Sequence, residues 1–434
     1  MRICSLVPLA GALLAASAAF TSGLVAQAVS ARGDSGLLTL VEARARAFGS
    51  SPELAAARAA AAVAAGEERQ AAAFPNPTLA YAREQTSRNG ASNSQDIAQV
   101  EQAIEIGGRR TARRDAARFR RSAADARVGI EQSRIAFEVT RVYALAVAAD
   151  RRARLAAVAA AEFASARAAS DQRLAAGDVS GYAARRVRLE AARYAGLRAE
   201  AALDARAARV ALASLVGTTS DPAQFTIALD TSLIISSDLL AKDSLRVLAG
   251  QSSTARPDIR AAELDVDAAR AAGRLAASER LRLPVASVGF KRERIAEQQG
   301  SASGFVAGFA IPLPLFDRRV GAIQAADAEV QRQAALLDVV RRRAAKEVAE
   351  AVAANAAAQE GLALLTPDII ADAELSMRAA QAAYREGEIT LLEWLDAVRA
   401  HQETVSSFIG LQAESIIRRA ALERALGVTL IPRN

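Results

Sequence analysis

The chain passes through one ordered series of landmarks twice, at an offset of roughly 205–210 residues. Any fold must therefore be built from two like halves. Ser51-Pro52-Glu53-Leu54 and Arg256-Pro257-Asp258-Ile259 each open an apolar-periodic run. Pro75-Asn76-Pro77 and Leu283-Pro284 each precede a short alternating segment. Gly108-Arg109-Arg110 and Asp317-Arg318-Arg319 follow those segments. Ala176-Gly177-Asp178 and Glu386-Gly387-Glu388 interrupt long helical patterns, and a Leu-rich run ending at Gly217 or Gly427 closes each copy. A period this long exceeds a solenoid unit and marks a duplicated subdomain.

Alanine dominates and aromatics make up only 4%. Alanine has the best helix propensity and lets backbones approach, which suits long helices packed side by side. The net charge is +7, but acidic residues are interleaved with the arginines. That pattern reads as solvated helix faces rather than a nucleic-acid stripe. Residues 1–28 read as a secretory signal peptide: Arg2, an apolar stretch over 6–19, and the small-residue site Ala26-Gln27-Ala28. A membrane anchor is the alternative reading. The only cysteine, Cys4, precedes the apolar stretch, so the mature chain would have no disulfide and no thiolate metal site. Beyond the signal no run of about 18 apolar residues occurs, which predicts no transmembrane helix.

Periodicity predicts a short helix over 37–48 and a second, capped by Ser51 with Pro52 in its first turn, running to about residue 73. Strands are expected over 79–88 and 96–106 with a polar turn between them, then an uninterrupted helix to about residue 175. At ~1.5 Å per residue that helix is on the order of 100 Å long, which indicates a tubular or fibrous assembly. Helix resumes after Gly177. Residues 218–255 form a linker with a β-rich run over 225–235 and a short helix near 244–249. Copy two repeats the plan: a helix over 257–282, strands near 284–292 and 303–313, and a helix from 320 that restarts at Thr366-Pro367 and breaks at Gly387. The organisation is thus 1–28 signal, 29–217 repeat 1 with a hairpin over 79–106, 218–255 linker, 256–427 repeat 2 with a hairpin over 284–313, and a 428–434 tail.

The strands alternate. Phe305, Ala307, Phe309, Ile311 and Leu313 share one face, and Gly304, Val306, Gly308 and Ala310 the other. Val100, Ile104 and Ile106 oppose Gln99, Glu101 and Glu105, and Val288 and Phe290 oppose Ser287, Gly289 and Lys291. Such segments fit half-buried strands or the strands of a membrane barrel. Phe74, Tyr81, Phe290, Phe305, Phe309 and Phe316 lie in or beside them, as an interfacial girdle requires. Four strands cannot close a barrel, and an open edge cannot sit in lipid. Membrane strands here would have to be shared among chains, about twelve strands from three chains.

Five segments resemble the TolC-like outer membrane efflux protein family: Phe74-Pro75-Asn76-Pro77, the run QAIEIGGRR over 102–110, Arg256-Pro257-Asp258, IPLPLF over 311–316 with Gly321, and GEITLLEWLDA over 387–397. QAIEIGGRR and IPLPLFDRRVG are most similar to its heavy-metal (cobalt–zinc–cadmium) branch. The resemblance implies a mainly α fold with a small β part. It implies a homotrimer with a twelve-stranded barrel in the outer membrane of a Gram-negative bacterium and a helical tube in the periplasm. It also implies an exit duct served by a periplasmic adaptor and an inner-membrane pump, taken here as the resistance-nodulation-division type. Outer-membrane lipid is then a partner, and no catalysis, cofactor or specific metal site is expected. A type I protein secretion duct and a non-channel coiled-coil surface protein are the alternatives.

By that resemblance, Gly177, Asp178, Gly387, Glu388 and Trp394 belong to the periplasmic tip and its adaptor contact, though the glycines also read as helix C-caps and Trp394 as packing within the tip. Glu393 and Asp396, three apart on one helix face, match the acidic positions of the entrance; the alternative is a solvated face. The basic and acidic positions of the family's latch are Ile389 and Ala183 here, so that latch does not transfer. The arginines at 109, 110, 113, 114, 118, 120 and 121 face either anionic groups of the membrane or acidic partners such as Asp115. His401, a lone histidine without cysteine, is read as a helix residue.

Overall fold

A computed structural model describes residues 37–88, 91–217, 226–227, 256–295 and 300–428. The expected signal peptide, most of the linker with its short helix, and the tail from 429 lie outside the described residues.

The first element differs from the helix expected at residue 37. Leu37–Leu38 is a short strand (β1) paired in parallel with Thr226–Ile227 (β4). Thr39 then caps α1, Leu40–Ser50, its hydroxyl accepting from the Glu42 N–H at 3.2 Å. Ser51 caps α2, Pro52–Ala72, in the same way. Gly108 leads into α3, Arg109–Ala176, whose 68 residues extend on the order of 100 Å. α4 is Gly181–Val216. In the second half α5 is Pro257–Ser278, α6 Val320–Ala363, α7 Pro367–Glu386 and α8 Leu391–Leu426. The helix expected to reach 282 stops at Ser278.

α3 is the spine, in contact with α1, α2, α4, α5 and α8. Its buried side chains are mostly alanines, including Ala116, Ala123, Ala144, Ala146 and Ala148, so neighbouring axes can approach closely. Larger side chains gather where α1 and the end of α4 meet it: Leu40, Leu54, Val139, Tyr143, Leu212 and Val216. The Tyr143 hydroxyl there donates to the Leu38 carbonyl at 3.0 Å.

Arg256 shows what the Arg-Pro-Asp landmark does. It is 6% exposed. Its guanidinium donates to Asp258 and Glu347 at 2.7 Å and to the Ala425 carbonyl at 2.9 Å, tying the start of α5 to α6 and to the end of α8. These hydrogen bonds outweigh burial and hold both carboxyls below their ordinary values.

The two hairpins are β2–β3, Thr78–Arg88 and Ala91–Ala103, and β5–β6, Val285–Ile295 and Gly300–Ala310. They join through β3 and β5 into one antiparallel sheet of order β2-β3-β5-β6. The ladder ends at Ala103 and Ala310, short of the expected 106 and 313, although the apolar alternation runs on. Pro312 and Pro314 have no N–H to donate, whereas Ile104 still donates to the Pro284 carbonyl.

Candidate functional site

The sheet has two unlike faces, and its register defines them in rows. Leu79, Val100, Val288 and Ala307 form one row; Tyr81, Ala98, Phe290 and Phe305 form the next. Phe309, opposite Ala286, lies on the same face. The other face carries Glu101, Ser287 and Gly308, then Gln99, Gly289 and Val306, then Ile97, Lys291 and Gly304. In the central strand β5, Val288, Phe290, Arg292 and Arg294 are exposed while the alternate residues from Val285 to Glu293 are half-buried. In β5 the apolar face is thus the more open one, and closing the sheet with that face outward would make it convex and the polar, glycine-bearing face concave. Gly289 is forced by close approach: a Cβ there would clash with the Ala98 carbonyl oxygen and meet the Gln99 Cβ at 2.5 Å.

The apolar run continues past the strand ends in Ile104, Ile106, Ile311 and Leu313, all exposed. From Phe305 to Leu313, at about 3.4 Å per residue, the band is on the order of 25–30 Å long, the dimension of a bilayer's apolar core. Tyr81, Phe290 and Phe305 edge it in one row, and Phe316, fully exposed, stands beyond its other end with Phe74. The strands β2 and β6 have no partner on their outer edges among the described residues.

Of the arginines after the first hairpin, Arg109, Arg110, Arg113 and Arg121 have partners within the protein, while Arg114, Arg118 and Arg120 are exposed. α2 ends with carbonyls that no intrahelical N–H can reach. Arg110 donates to the Ala72 carbonyl at 2.8 Å, Arg113 to those of Ala71 and Ala73 at 2.8 and 2.9 Å. Arg113 also pairs with Glu105, Arg109 with Glu279 at 3.3 Å and Arg121 with Glu68 at 2.9 Å. The Arg110 guanidinium lies 3.8 Å over the Phe74 ring. Of the two readings of this cluster, partners within the protein are seen for Arg109, Arg110, Arg113 and Arg121, in capping and clamping contacts.

At the opposite ends of the helices the two turns share the pattern Gly-acid-β-branched-hydroxyl: Gly177-Asp178-Val179-Ser180 and Gly387-Glu388-Ile389-Thr390. Both glycines are left-handed, at φ 85° and 83°. The N–H groups of Gly177 and Asp178 donate to the Leu174 and Arg173 carbonyls, and those of Gly387 and Glu388 to Tyr384 and Ala383, the Schellman arrangement. The following hydroxyls cap α4 and α8. Arg173 bridges the two turns, donating to the Arg385 carbonyl at 3.1 Å.

Trp394 is 1% exposed, so its ring presents no outer surface to a partner and supports the tip from within. It stacks on Tyr384 at 4.8 Å and meets Phe163 at 4.6 Å; Phe163 stacks on Tyr194 at 4.2 Å. Four helices each supply one ring. Beside the cluster lies an open cavity of about 560 Å³ whose wall includes Glu162, Arg173, Val187, Arg385 and the Trp394 ring. Among the described residues the indole N–H has no partner, and burial raises the Glu162 carboxyl above its ordinary value.

Glu393 and Asp396 are both exposed. The Glu393 carboxylate accepts from the Thr390 N–H at 2.7 Å and from its hydroxyl at 2.8 Å, while the Glu393 N–H donates back to that hydroxyl. This capping box keeps the carboxyl below its ordinary value. Sequence reading missed the cap role and the aromatic cluster. The signal for the cap was Thr390-x-x-Glu393; for the cluster, rare aromatics recurring near both tip glycines. His401 lies on α8, its imidazole pushed below its ordinary value by burial. Among the described residues no three His, Cys, Asp or Glu gather as a metal set, and no helix is long and apolar enough to cross a membrane.

Residues 248–428, which include α5 to α8 and the second hairpin, match the family described as outer membrane efflux protein. Over 400 residues, covering 90% of both chains, the sequence is 29% identical to the cobalt-zinc-cadmium resistance protein CzcC of Cupriavidus metallidurans. The fold is similar to the solved structure of CusC, a protein that forms a transmembrane channel, with a TM-score of 0.69 at 18% identity over 90% of this chain and 92% of that one. It is also similar to the outer membrane protein VceC of Vibrio cholerae, with a TM-score of 0.64 at 19% identity over 90% and 96%.

Proposed function

We propose that this chain, which belongs with the outer membrane efflux proteins, is one of three subunits forming a closed duct through the outer membrane and down into the periplasm. The observation that carries the reading is a four-stranded sheet with an apolar face and two unpaired edges, borne on helices of up to 68 residues. Unpaired edges are untenable in lipid. Pairing β6 of each subunit with β2 of the next removes every edge and closes about twelve strands. The concave face, with Glu101, Gln99 and Lys291, then lines water. A non-channel fibre has no use for an apolar convex face of bilayer dimension.

The duct is a passage, not an enzyme: it works with a periplasmic adaptor and an inner-membrane pump of the resistance-nodulation-division type, and heavy-metal cations are its cargo. The likeness to CzcC supports the cargo. The open cavity between the two tip hairpins supports an adaptor contact beside Gly177, Asp178, Gly387 and Glu388. Glu393 and Asp396 of three subunits ring the entrance and favour cations. Phe74, Tyr81, Phe290, Phe305, Phe309 and Phe316 anchor the barrel in lipid.

Native mass measurement of the detergent-purified protein, together with planar-bilayer conductance, tests this. A trimer that opens ion-conducting pores is expected. A stable, non-conducting monomer would overturn the reading.

A further inference from the structure

Beyond the row of Tyr81, Ala98, Phe290 and Phe305, away from the helices, the convex face changes character within one residue pair. The next row is Arg83, Asp96, Arg292 and Ser303, and the one after it Gln85, Ser94, Arg294 and Ser301. Arg83, Arg292 and Arg294 are exposed. Strands stand about 4.8 Å apart and rows about 7 Å apart, so three guanidinium groups occupy a patch on the order of 10 Å across. The one acid in these rows, Asp96, is engaged: it accepts from the Tyr81 hydroxyl at 2.8 Å and lies 3.8 Å from Arg83. Neither Arg292 nor Arg294 pairs with an acid among the described residues. On the concave face at the same level, Lys291 is paired with Glu293 at 3.2 Å. At the opposite end Arg109, Arg110, Arg113 and Arg121 are held by the carbonyls of α2 and by Glu105, Glu279 and Glu68. On the convex patch Arg83 shares Asp96, Arg292 and Arg294 have no acidic partner among the described residues, and hydroxyl and amide side chains surround all three.

We infer that Arg83, Arg292 and Arg294 form a binding site for the phosphate groups of an anionic lipid headgroup in the outer leaflet. The inference rests on the proposed membrane placement of the sheet. Guanidinium groups bind phosphate oxygens in paired, charge-assisted hydrogen bonds. The aromatic row marks the depth at which headgroups begin, and the arginines stand one and two rows beyond it. A lipid seated there would have its chains on Phe305, Phe290 and Val288 and its phosphates on the arginines. The site joins charge to an apolar face, which a free anion does not need.

The test uses the full-length protein in detergent, with native mass spectrometry and the heat at which the oligomer dissociates. The probes are diphosphorylated lipid A, the same lipid with its phosphates removed, and inorganic phosphate. The wild-type oligomer should retain the phosphorylated lipid and dissociate at higher temperature with it, with at least about tenfold weaker retention of the dephosphorylated form. The triple variant Arg83→Gln, Arg292→Gln, Arg294→Gln should form the same oligomer, with the same lipid-free heat resistance, and lose that preference. The single Arg294→Gln variant, at an exposed strand position, serves if the triple variant does not assemble and should weaken retention in part. Equal retention of both lipids by the wild type, or undiminished preference in variants that assemble, overturns the site. Inorganic phosphate that binds as tightly as the lipid overturns the lipid assignment. If the wild type forms no oligomer at all, the membrane-duct reading fails and takes this site with it.

Discussion

At the tip, Phe163, Tyr194, Tyr384 and Trp394 bury one another within a single chain. At the sheet, Phe290, Phe305 and Phe309 stand 54%, 85% and 62% exposed on a surface whose outer strands lack partners. Both ends draw on the two halves of the chain, the tip on the turns at Gly177 and Gly387 and the sheet on two hairpins. At the tip each turn satisfies its own helix ends, through a left-handed glycine and a hydroxyl cap, so it is complete in one copy. A strand hands its unmet hydrogen bonds sideways to the next strand, so the sheet end is incomplete until something closes it. Damage at the sheet should therefore read out in assembly, and damage at the tip in local stability.

The largest effect expected is at Gly289. A valine there would drive its Cβ against the Ala98 carbonyl oxygen and the Gln99 backbone, contacts that only strand separation relieves. The Gly289→Val protein should lose the heat-resistant oligomer on gels. Gly304→Ala, on the same face with open space around it, should keep it. Equal behaviour of the two would mean that close strand approach does not govern closure.

Next is Trp394→Ala, which removes the ring joining Phe163 to Tyr384. A loss of about 3–5 kcal/mol is typical for such a truncation. Hydrogen exchange should rise around residues 163, 194 and 384 while the oligomer survives. An oligomer lost together with the tip would show that the two ends are one cooperative unit, against the comparison drawn above.

Gly177→Ala and Gly387→Ala should each cost about 1 kcal/mol in urea unfolding. The left-handed conformation penalises a Cβ by that order, and no side chain lies near enough to add a clash. Near-equal values are expected from the matching turns. Because Arg173 bridges to the Arg385 carbonyl, the double variant reports their coupling: a sum within about 0.5 kcal/mol means independent turns.

What the sequence disclosed follows the range of the interactions involved. Ser51-Pro52 and Thr366-Pro367 announce helix starts, and Gly177 and Gly387 their ends, because caps act within a few residues. The strand faces were legible from alternation, since the convex side of β6 presents Phe305, Ala307 and Phe309 in turn. The ladder ends were not, because alternation follows the apolar surroundings whereas the ladder needs N–H donors that Pro312 and Pro314 lack. Pairing of β3 with β5 and the meeting of four rings from four helices join residues far apart in the chain, and no local pattern specifies them. The arginines after the first hairpin left two readings open for a related reason: the partners of Arg109, Arg110, Arg113 and Arg121 are carbonyls of α2 and the carboxylates of Glu68, Glu105 and Glu279, which no local pattern singles out.

The smallest effect separates two roles at one residue. Glu393 caps α8, and in the proposed duct it also contributes charge to the entrance with Asp396. Glutamine serves at that position of a capping box as well as glutamate does, so Glu393→Gln removes the charge and leaves the cap. Tip exchange should be unchanged in Glu393→Gln, while Glu393→Ala frays the first turn of α8. Together with Asp396→Asn, the glutamine variant should lower cation preference and weaken divalent-cation block in planar bilayers. Acidity gives a second handle. Hydrogen bonds from the Thr390 N–H and hydroxyl hold the Glu393 carboxyl below the usual range. Its contribution to stability is therefore present above the ordinary glutamate pKa, about 4.3, and fades as pH falls through the lowered folded value. The cation preference should follow the same course and persist below pH ~4.3. Selectivity and block indifferent both to the double variant and to acidification would place these carboxylates on a solvated outer face, leaving Glu393 as a helix cap alone.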